Sequence, residues 1–538
     1  MKTMLTTFLV LILSSLLSLT PGYASNSHPL TGEKLAENQV FYYRIGAESP
    51  SIDPQLVEDG EGSAISRDLF EGLLTQNADG TLAPGVAERW EGNAKKDSYT
   101  FYLRKNARWS NGDPVTSHDF VYAWRRAVDP VVSSPYASFM ELTSIKNVSD
   151  ILKGKKPTSE LGIEAVDDYT LKVSLSGSLS YFPSMMVHTT TFPTHQKTIE
   201  KHGNSWTKPG NMVSNGAYKL TEHVLNERLV RERNPMYWNN DKTIIDKTVG
   251  LIITDENQAY NRYQASELYK TEVPTGQFKR LKKLLPVETH SNPRLCSYYY
   301  IFNMEDETLK NLNLRKALTL AINRNIVTDK IMGAGQIPAY SFTPGSTANF
   351  IVPDTEYGKM TQKERNKLAM SLLAKEGYSR SNPLEITLLY NTSEGHKKVA
   401  IAVRQMWKQV GIKATLENQE WKTFLSTRDA GNFQIARSGW CGDYNEASTF
   451  LDLLRSDSDQ NDSNYNNPVV DDLIVSARTM DDPNPNYKKV EELIAKDFPI
   501  SPIYHYTGVL MLKPYVKGWP HQNVEANWYS KDLYITAH

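Results

Sequence analysis

Two cysteines, Cys296 and Cys441, are all that the 538 residues contain. So small a supply excludes the disulfide-dense scaffolds of small secreted domains, and the absence of any CxxC removes the usual zinc-ribbon spacing. Surplus charge is also lacking: 60 basic residues stand against 61 acidic ones. Nucleic-acid binders and proteins of anionic membranes carry a basic excess, so neither partner is indicated. After the N-terminal segment no stretch of about eighteen uninterrupted apolar residues occurs, which leaves the mature chain without a transmembrane-helix candidate. Internal repeats and low-complexity tracts are missing as well.

The signatures of exported hydrolases are absent. There is no GxSxG elbow, no HExxH, no SxxK followed by SDN and no P-loop. The eleven histidines are scattered. His188 and His195 bracket a Thr/Phe/Pro run, but not at the i,i+4 spacing that a helix offers zinc. Carboxylates such as Glu305 and Glu307 read as solvated loop charges. The expectation is a non-enzyme with no catalytic residue, metal or cofactor, although nucleophile, base and orienter can lie far apart in sequence.

What is present is an ordinary globular mix, 40% apolar and 22% charged, long enough for about three domains. The aromatic content lies in 29 tyrosines and 10 tryptophans, side chains favoured where a surface is both apolar and hydrogen-bonding. Residues 1–24 read as a cleaved secretory signal. Lys2 precedes the apolar run FLVLILSSLLSL (8–19), and TPGYA then offers small residues at Gly22 and Ala24. No cysteine near that point supports lipid anchoring. Two cysteines in an exported chain suggest one disulfide closing a long loop, worth at most roughly 5 kcal/mol. Two buried free thiols or half of a metal site are the alternatives.

Short β-branched or aromatic runs alternate with helical patterns, which indicates a mixed α/β fold. FVYAWRRAVDP (120–130) reads as a helix entered after Asp119 and stopped by Pro130. LEITLLYN (384–391), KKVAIAVRQMWKQVGI (397–412) and KATLENQ (413–419) form a strand–helix–strand unit. NFQIARSGW (432–440) is strand-like, so ARSGWCGDYNE is the end of a strand and the loop beyond it, where ligand crevices of open α/β sheets form. Breaks between domains are sought at 207–218, 291–300 and 505–515. With few long flexible stretches, the lobes are expected to share more than one crossing strand.

Arg437 and Asp443 stand six residues apart at that strand end. Mutual pairing is the simplest use for them. The alternative is a zwitterionic ligand, whose ammonium meets the acid and whose carboxylate meets the base. A buried carboxylate needs a cation from the protein or from a guest.

Seven segments in order carry a resemblance that spans the mature chain. They are ISRDLFEGLL (65–74), TFYLRKNARWSNGDPVTSHDFVYAWRRAVDP (100–130), SNGAYKL (214–220), NPMYWNN (234–240), LCSYYYIFN (295–303), NQEWKTFLSTR (418–428) and RSGWCGDYNE (437–446). On these the chain resembles the periplasmic oligopeptide-binding proteins of bacterial ABC importers, in the peptide/nickel solute-binding family 5. The resemblance implies an α/β, two-lobed, hinged periplasmic-binding-protein fold of class II with an extra third domain. Lobe I would comprise residues 26–70, 196–295 and 509–538, the additional domain 71–195, and lobe II 296–508. An extended peptide would be held through its main chain, as in strand addition, with side chains in hydrated pockets.

The resemblance also implies the site. Asp443 matches the carboxylate that receives the peptide's α-ammonium, and Cys296 and Cys441 match a disulfide pair. Arg437 matches the base that meets the carboxylate of a short peptide, His396 a group used for longer ones, and Arg428 another cleft cation. Since an extended chain gains about 3.3–3.6 Å per residue, cations at graded distances from one acid would accept peptides of about two to five residues. Trp421 and Trp440 match pocket walls; Tyr136, Tyr506 and Glu58 match cleft-lining positions. Three departures stand out: Ala447 where the family has proline, Asp429 where close relatives carry histidine, and Met332 where some carry lysine. A monomer in the periplasm, serving an inner-membrane permease and ATPase complex, is the implied setting. A murein tripeptide receptor of the same fold is the alternative; a secreted peptidase or a holdase-like chaperone is less well supported.

Overall fold

The computed structural model describes residues 27–480 and 482–538, so the proposed signal segment 1–24 lies outside the described residues. Its framework is an eleven-stranded mixed sheet. In spatial order the main path runs Ile412–Gln419, Leu384–Asn391, Ile435–Cys441, Thr289–Phe302, Ile500–Leu512, Lys270–Glu272, Val40–Ile45, Lys247–Ile252, Arg228–Arg233 and Tyr218–Val224. A short eleventh strand, Ile337–Pro338, pairs with Ile500–Leu512 off this path.

Two long antiparallel strands, Thr289–Phe302 and Ile500–Leu512, join the halves of this sheet. One end pairs Thr289 with Met511 through Pro293 with Thr507; the other pairs Ser297 with His505 through Ile301 with Ile500. Between Pro293 and Ser297 the register breaks, where a proline without an N–H cannot continue the ladder. Segments 291–300 and 505–515, read as candidate breaks between domains, therefore belong largely to crossing strands instead of loops. Their backbone groups are spent on each other, which is why no flexible tether is needed.

The strand–helix–strand unit forms as its periodicity predicts. Helix Glu394–Val410 buries Val399, Ala400, Val403, Met406, Trp407 and Val410, a three-to-four-residue stripe. Ser393 caps its start, and Gly411 closes it at φ 99°, a left-handed turn that favours glycine. The flanking strands pair in parallel, Leu384 with Ile412 through Asn391 with Gln419. The helix expected from about residue 120 begins earlier, at Ser117, and ends at Ala127. Asp119 is its third residue, and its carboxylate accepts from the Thr116 N–H at 2.7 Å, so the acid caps the first turn from inside.

A separate antiparallel sheet, in the order Ala87–Gly92, Ser98–Leu103, Thr170–Ser174 and Ile163–Asp167, shares one core with the first half of the main sheet. Phe101, Trp124 and Phe182 belong to the same buried cluster as Phe41 and Tyr43. A second cluster, around Tyr298, Leu388, Val403 and Trp407, fills the other half. The result is a two-lobed α/β molecule with a cavity between the halves.

Candidate functional site

Ile435–Cys441 is the strand that builds the site. It is antiparallel to Thr289–Phe302, and this register places Cys441 directly opposite Cys296; the two form a disulfide. Neither free thiols nor a metal half-site is therefore present at these cysteines. No group of three or more His, Cys, Asp or Glu residues able to hold a metal occurs among the described residues. No described helix is long and apolar enough to cross a membrane.

A cavity of about 550 Å³ lies against this strand end, within the range of ligand sites. Of the residues expected at the site, Asp443, Arg437, Arg428, His396, Trp421, Trp440, Tyr136 and Glu58 line it, and so does Cys441. Tyr506 stands just behind, its hydroxyl receiving a 2.6 Å hydrogen bond from the Arg437 Nη2. Met332 packs against the second core and does not line the cavity.

Asp443 and Arg437 do not pair with each other. The Tyr136 hydroxyl donates to the Asp443 carboxylate at 3.0 and 3.1 Å, and the His188 Nε2 lies 3.3 Å from Oδ1. Neither lysine nor arginine forms an ion pair with this carboxylate among the described residues. Trp440, Tyr136 and His188 stand face to face, with ring centroids 6.1 and 5.1 Å apart, so the acid's two donors are held by stacking. Burial, then the charge of Asp443, drives the Tyr136 pKa well above its ordinary value, which keeps it a donor. The Asp443 N–H donates to the Thr449 Oγ1 at 2.9 Å, tying the loop down two residues past the disulfide.

At the other end, Arg437 donates to the Tyr506 hydroxyl and, at 3.3 Å, to Asn391 Oδ1; its guanidinium lies 4.9 Å from the Tyr298 ring centre. No carboxylate pairs with it among the described residues. His396, in the first turn of its helix, is half-buried beside Tyr298. Burial and the Arg437 charge push its pKa well below the usual histidine value, so it meets a ligand as a neutral group. Arg428 lines the wall, but its charge is already met by Asp462 at 3.0 Å and Asp429 at 3.1 Å. Glu58 faces this pair; burial, then Asp429, raises its pKa to about 7. Trp421 opens helix Trp421–Asp429 and stacks on Phe424.

From Arg437 to Cys441 the strand rises about 13 Å, and an extended tripeptide spans about 10 Å. The cavity thus presents an acid without a strong counter-ion and, roughly one short peptide away, a base without a carboxylate. His188, Arg67, Arg294 and Glu525 also line it and escape sequence reading. The stacking of His188 on Tyr136 and Phe139 is visible only in three dimensions.

Fold and site define a two-lobed ligand-binding protein. The family profile of bacterial extracellular solute-binding proteins, family 5 (middle region), matches residues 81–462, and the chain belongs to that family. It is 44% identical over 513 residues to the periplasmic oligopeptide-binding protein OppA of Salmonella typhimurium, with 94% of each chain covered. The solved murein tripeptide-binding protein MppA of Escherichia coli superposes with a TM-score of 0.92 at 42% identity, covering 94% of this chain and all of that one. Haemophilus influenzae OppA in complex with the peptide RPPGFSPFR gives 0.91 at 42% identity with the same coverage. The unliganded open form of MppA gives only 0.67 at the same identity, so the halves here are arranged as in the peptide complex and not as in that open form.

Proposed function

We propose that the protein captures short peptides in the periplasm and delivers them to an ABC importer. The observation that carries this reading is the polarity of the closed cavity, with Asp443 free of strong cations at one end and Arg437 free of carboxylates at the other. A free peptide carries the complementary charges on its ends, and peptides of every sequence share them. In this reading Asp443 receives the α-ammonium, Arg437 the carboxylate of a short peptide, and His396 or Arg428 groups of longer ones. Trp421, Trp440, Tyr136, Tyr506 and Glu58 shape the walls. The Trp440 Nε1, buried without a partner, is available to a peptide carbonyl.

Lobe I is assigned to 26–70, 196–295 and 509–538, the additional domain to 71–195, and lobe II to 296–508, closing as a hinged trap about the two crossing strands. The protein works as a monomer, exported by the segment 1–24, with a permease and ATPase complex as its partner and no catalytic step of its own. Mass spectrometry of ligands released from natively purified protein tests this. A mixture of peptides of about two to five residues is expected. A single muropeptide would favour a murein tripeptide receptor, and time-dependent cleavage of added peptides would establish a peptidase.

A further inference from the structure

We infer that the cavity holds a second carboxylate site, formed by Arg67 and Arg294, that selects peptides with an acidic side chain in the middle of the chain. This rests on the peptide-binding reading above. Arginines removed from water elsewhere in this molecule have obvious partners. Arg126 reaches Asp53 at 2.6 Å, Arg44 reaches Glu272 at 2.6 Å, and Arg315 donates to the carbonyls of Leu309, Lys310, Asp497 and Phe498. Arg67 and Arg294 depart from that rule. Both line the cavity, the Nε of each is buried without a partner, and neither side chain makes a hydrogen bond or ion pair among the described residues.

The two guanidiniums are near enough to repel: burial is the main influence lowering the Arg67 pKa, and the Arg294 charge lowers it further. Arg294 is aimed by its surroundings. It follows Pro293 at the register break of the crossing strands, and its stem lies across Gly508, where a Cβ would meet Cδ at 3.2 Å and Cγ at 3.3 Å. Arg67 stands in the last turn of helix Gly60–Leu69. The acids nearby do not satisfy them. Glu525 accepts from Gln76 at 2.5 Å and Glu272 is held by Arg44 and Lys270, while Glu61 accepts from the Gly46 N–H.

The pair shares electrostatic neighbours with the sites for the termini. Arg67 and Asp443 both act on the charge of Glu525, whereas Arg294 interacts with Tyr506, the partner of Arg437. Both arginines line the same cavity as Asp443 and Arg437, and in this inference they face a side chain lying between the peptide's termini. A zwitterionic backbone needs only Asp443 and Arg437; two further unpaired cations call for one more anion. A carboxylate there gains charge-assisted hydrogen bonds from two guanidiniums that make no ion pair among the described residues.

Calorimetry with Ala-Glu-Ala, Ala-Gln-Ala and Ala-Ala-Ala tests this on the wild-type protein and on Arg67→Gln, Arg294→Gln and the double variant. The wild type is expected to bind Ala-Glu-Ala at least about tenfold more tightly than Ala-Gln-Ala. That preference should fall below about threefold in the double variant, while Ala-Ala-Ala affinity, which also reports correct folding, changes by less than about threefold. Equal affinities of the wild type for the Glu and Gln peptides overturn the inference, as does a preference that survives in the double variant. Failure of the wild type to bind any of the three overturns the peptide reading itself, and the inference with it.

Discussion

Replacing Arg437 with methionine removes a buried cation for which the ligand-free protein supplies no carboxylate. It donates to the Tyr506 hydroxyl and to Asn391 Oδ1, and its Nε has no partner. In the empty protein the charge pays desolvation without an ion pair in return, so its loss should leave stability unchanged or raise it. Binding moves the other way. A tripeptide carboxylate loses its charge-assisted contacts, worth about 3 kcal/mol, or roughly 150-fold in affinity. A pentapeptide, whose C-terminus lies about 7 Å further along the cleft, should lose less than about tenfold. Calorimetry with alanine peptides of three and five residues measures the two losses, and thermal unfolding without ligand gives the stability. An equal loss for both lengths refutes the assignment. So does an empty variant destabilised by several kcal/mol, since Arg437 would then be a structural cation.

Glu525 gives a pH test. Burial is the main cause of its raised pKa, about 7, with the charge of Asp443 adding to it. The stability from keeping it neutral is complete below the unfolded value near 4.5 and is lost as pH rises through about 7. Glu525→Gln should therefore match the wild type in thermal unfolding near pH 4.5 and exceed it by about 1–3 kcal/mol at pH 8; a gap that stays constant with pH contradicts the shift. Replacing Cys296 and Cys441 by serine should cost about 2–5 kcal/mol of stability and weaken binding of free-amine peptides, because Asp443 lies two residues past the bridge. Denaturant unfolding and calorimetry check both, and unchanged affinity would mean that the Thr449 contact alone holds the loop.

Local pattern was legible in the chain, and distant juxtaposition much less so. The apolar stripe of Glu394–Val410, the strands on either side of it and the strand ending at Cys441 follow from side-chain periodicity over a few residues. Asp443 and Arg437 were visible because one strand end carries both. Tyr136 is 307 positions from the carboxylate it contacts, and only the resemblance drew attention to it. Its companion His188 gave no local signal, since its use depends on stacking between elements that the chain leaves far apart. Arg67 sits in an ordinary helix turn and Arg294 in a segment that reads as a linker, so their lack of partners emerges only once the lobes meet. The crossing strands misled for a related reason: Pro293 and Gly508 signal a turn locally, yet here they mark a register break and a place where an arginine stem passes.

The most direct measurement is a four-way calorimetric comparison of wild type and Asp443→Asn, each with Ala-Ala-Ala and with its N-acetylated form. Removing the carboxylate's charge should cost the free-amine peptide about 2–4 kcal/mol, as for one partner of a buried ion pair, with Tyr136 and His188 compensating in part. The acetylated peptide, which has no ammonium, should change by less than about 1 kcal/mol. A large coupling between the two changes supports an ammonium held at Asp443, and equal losses for both peptides would contradict it.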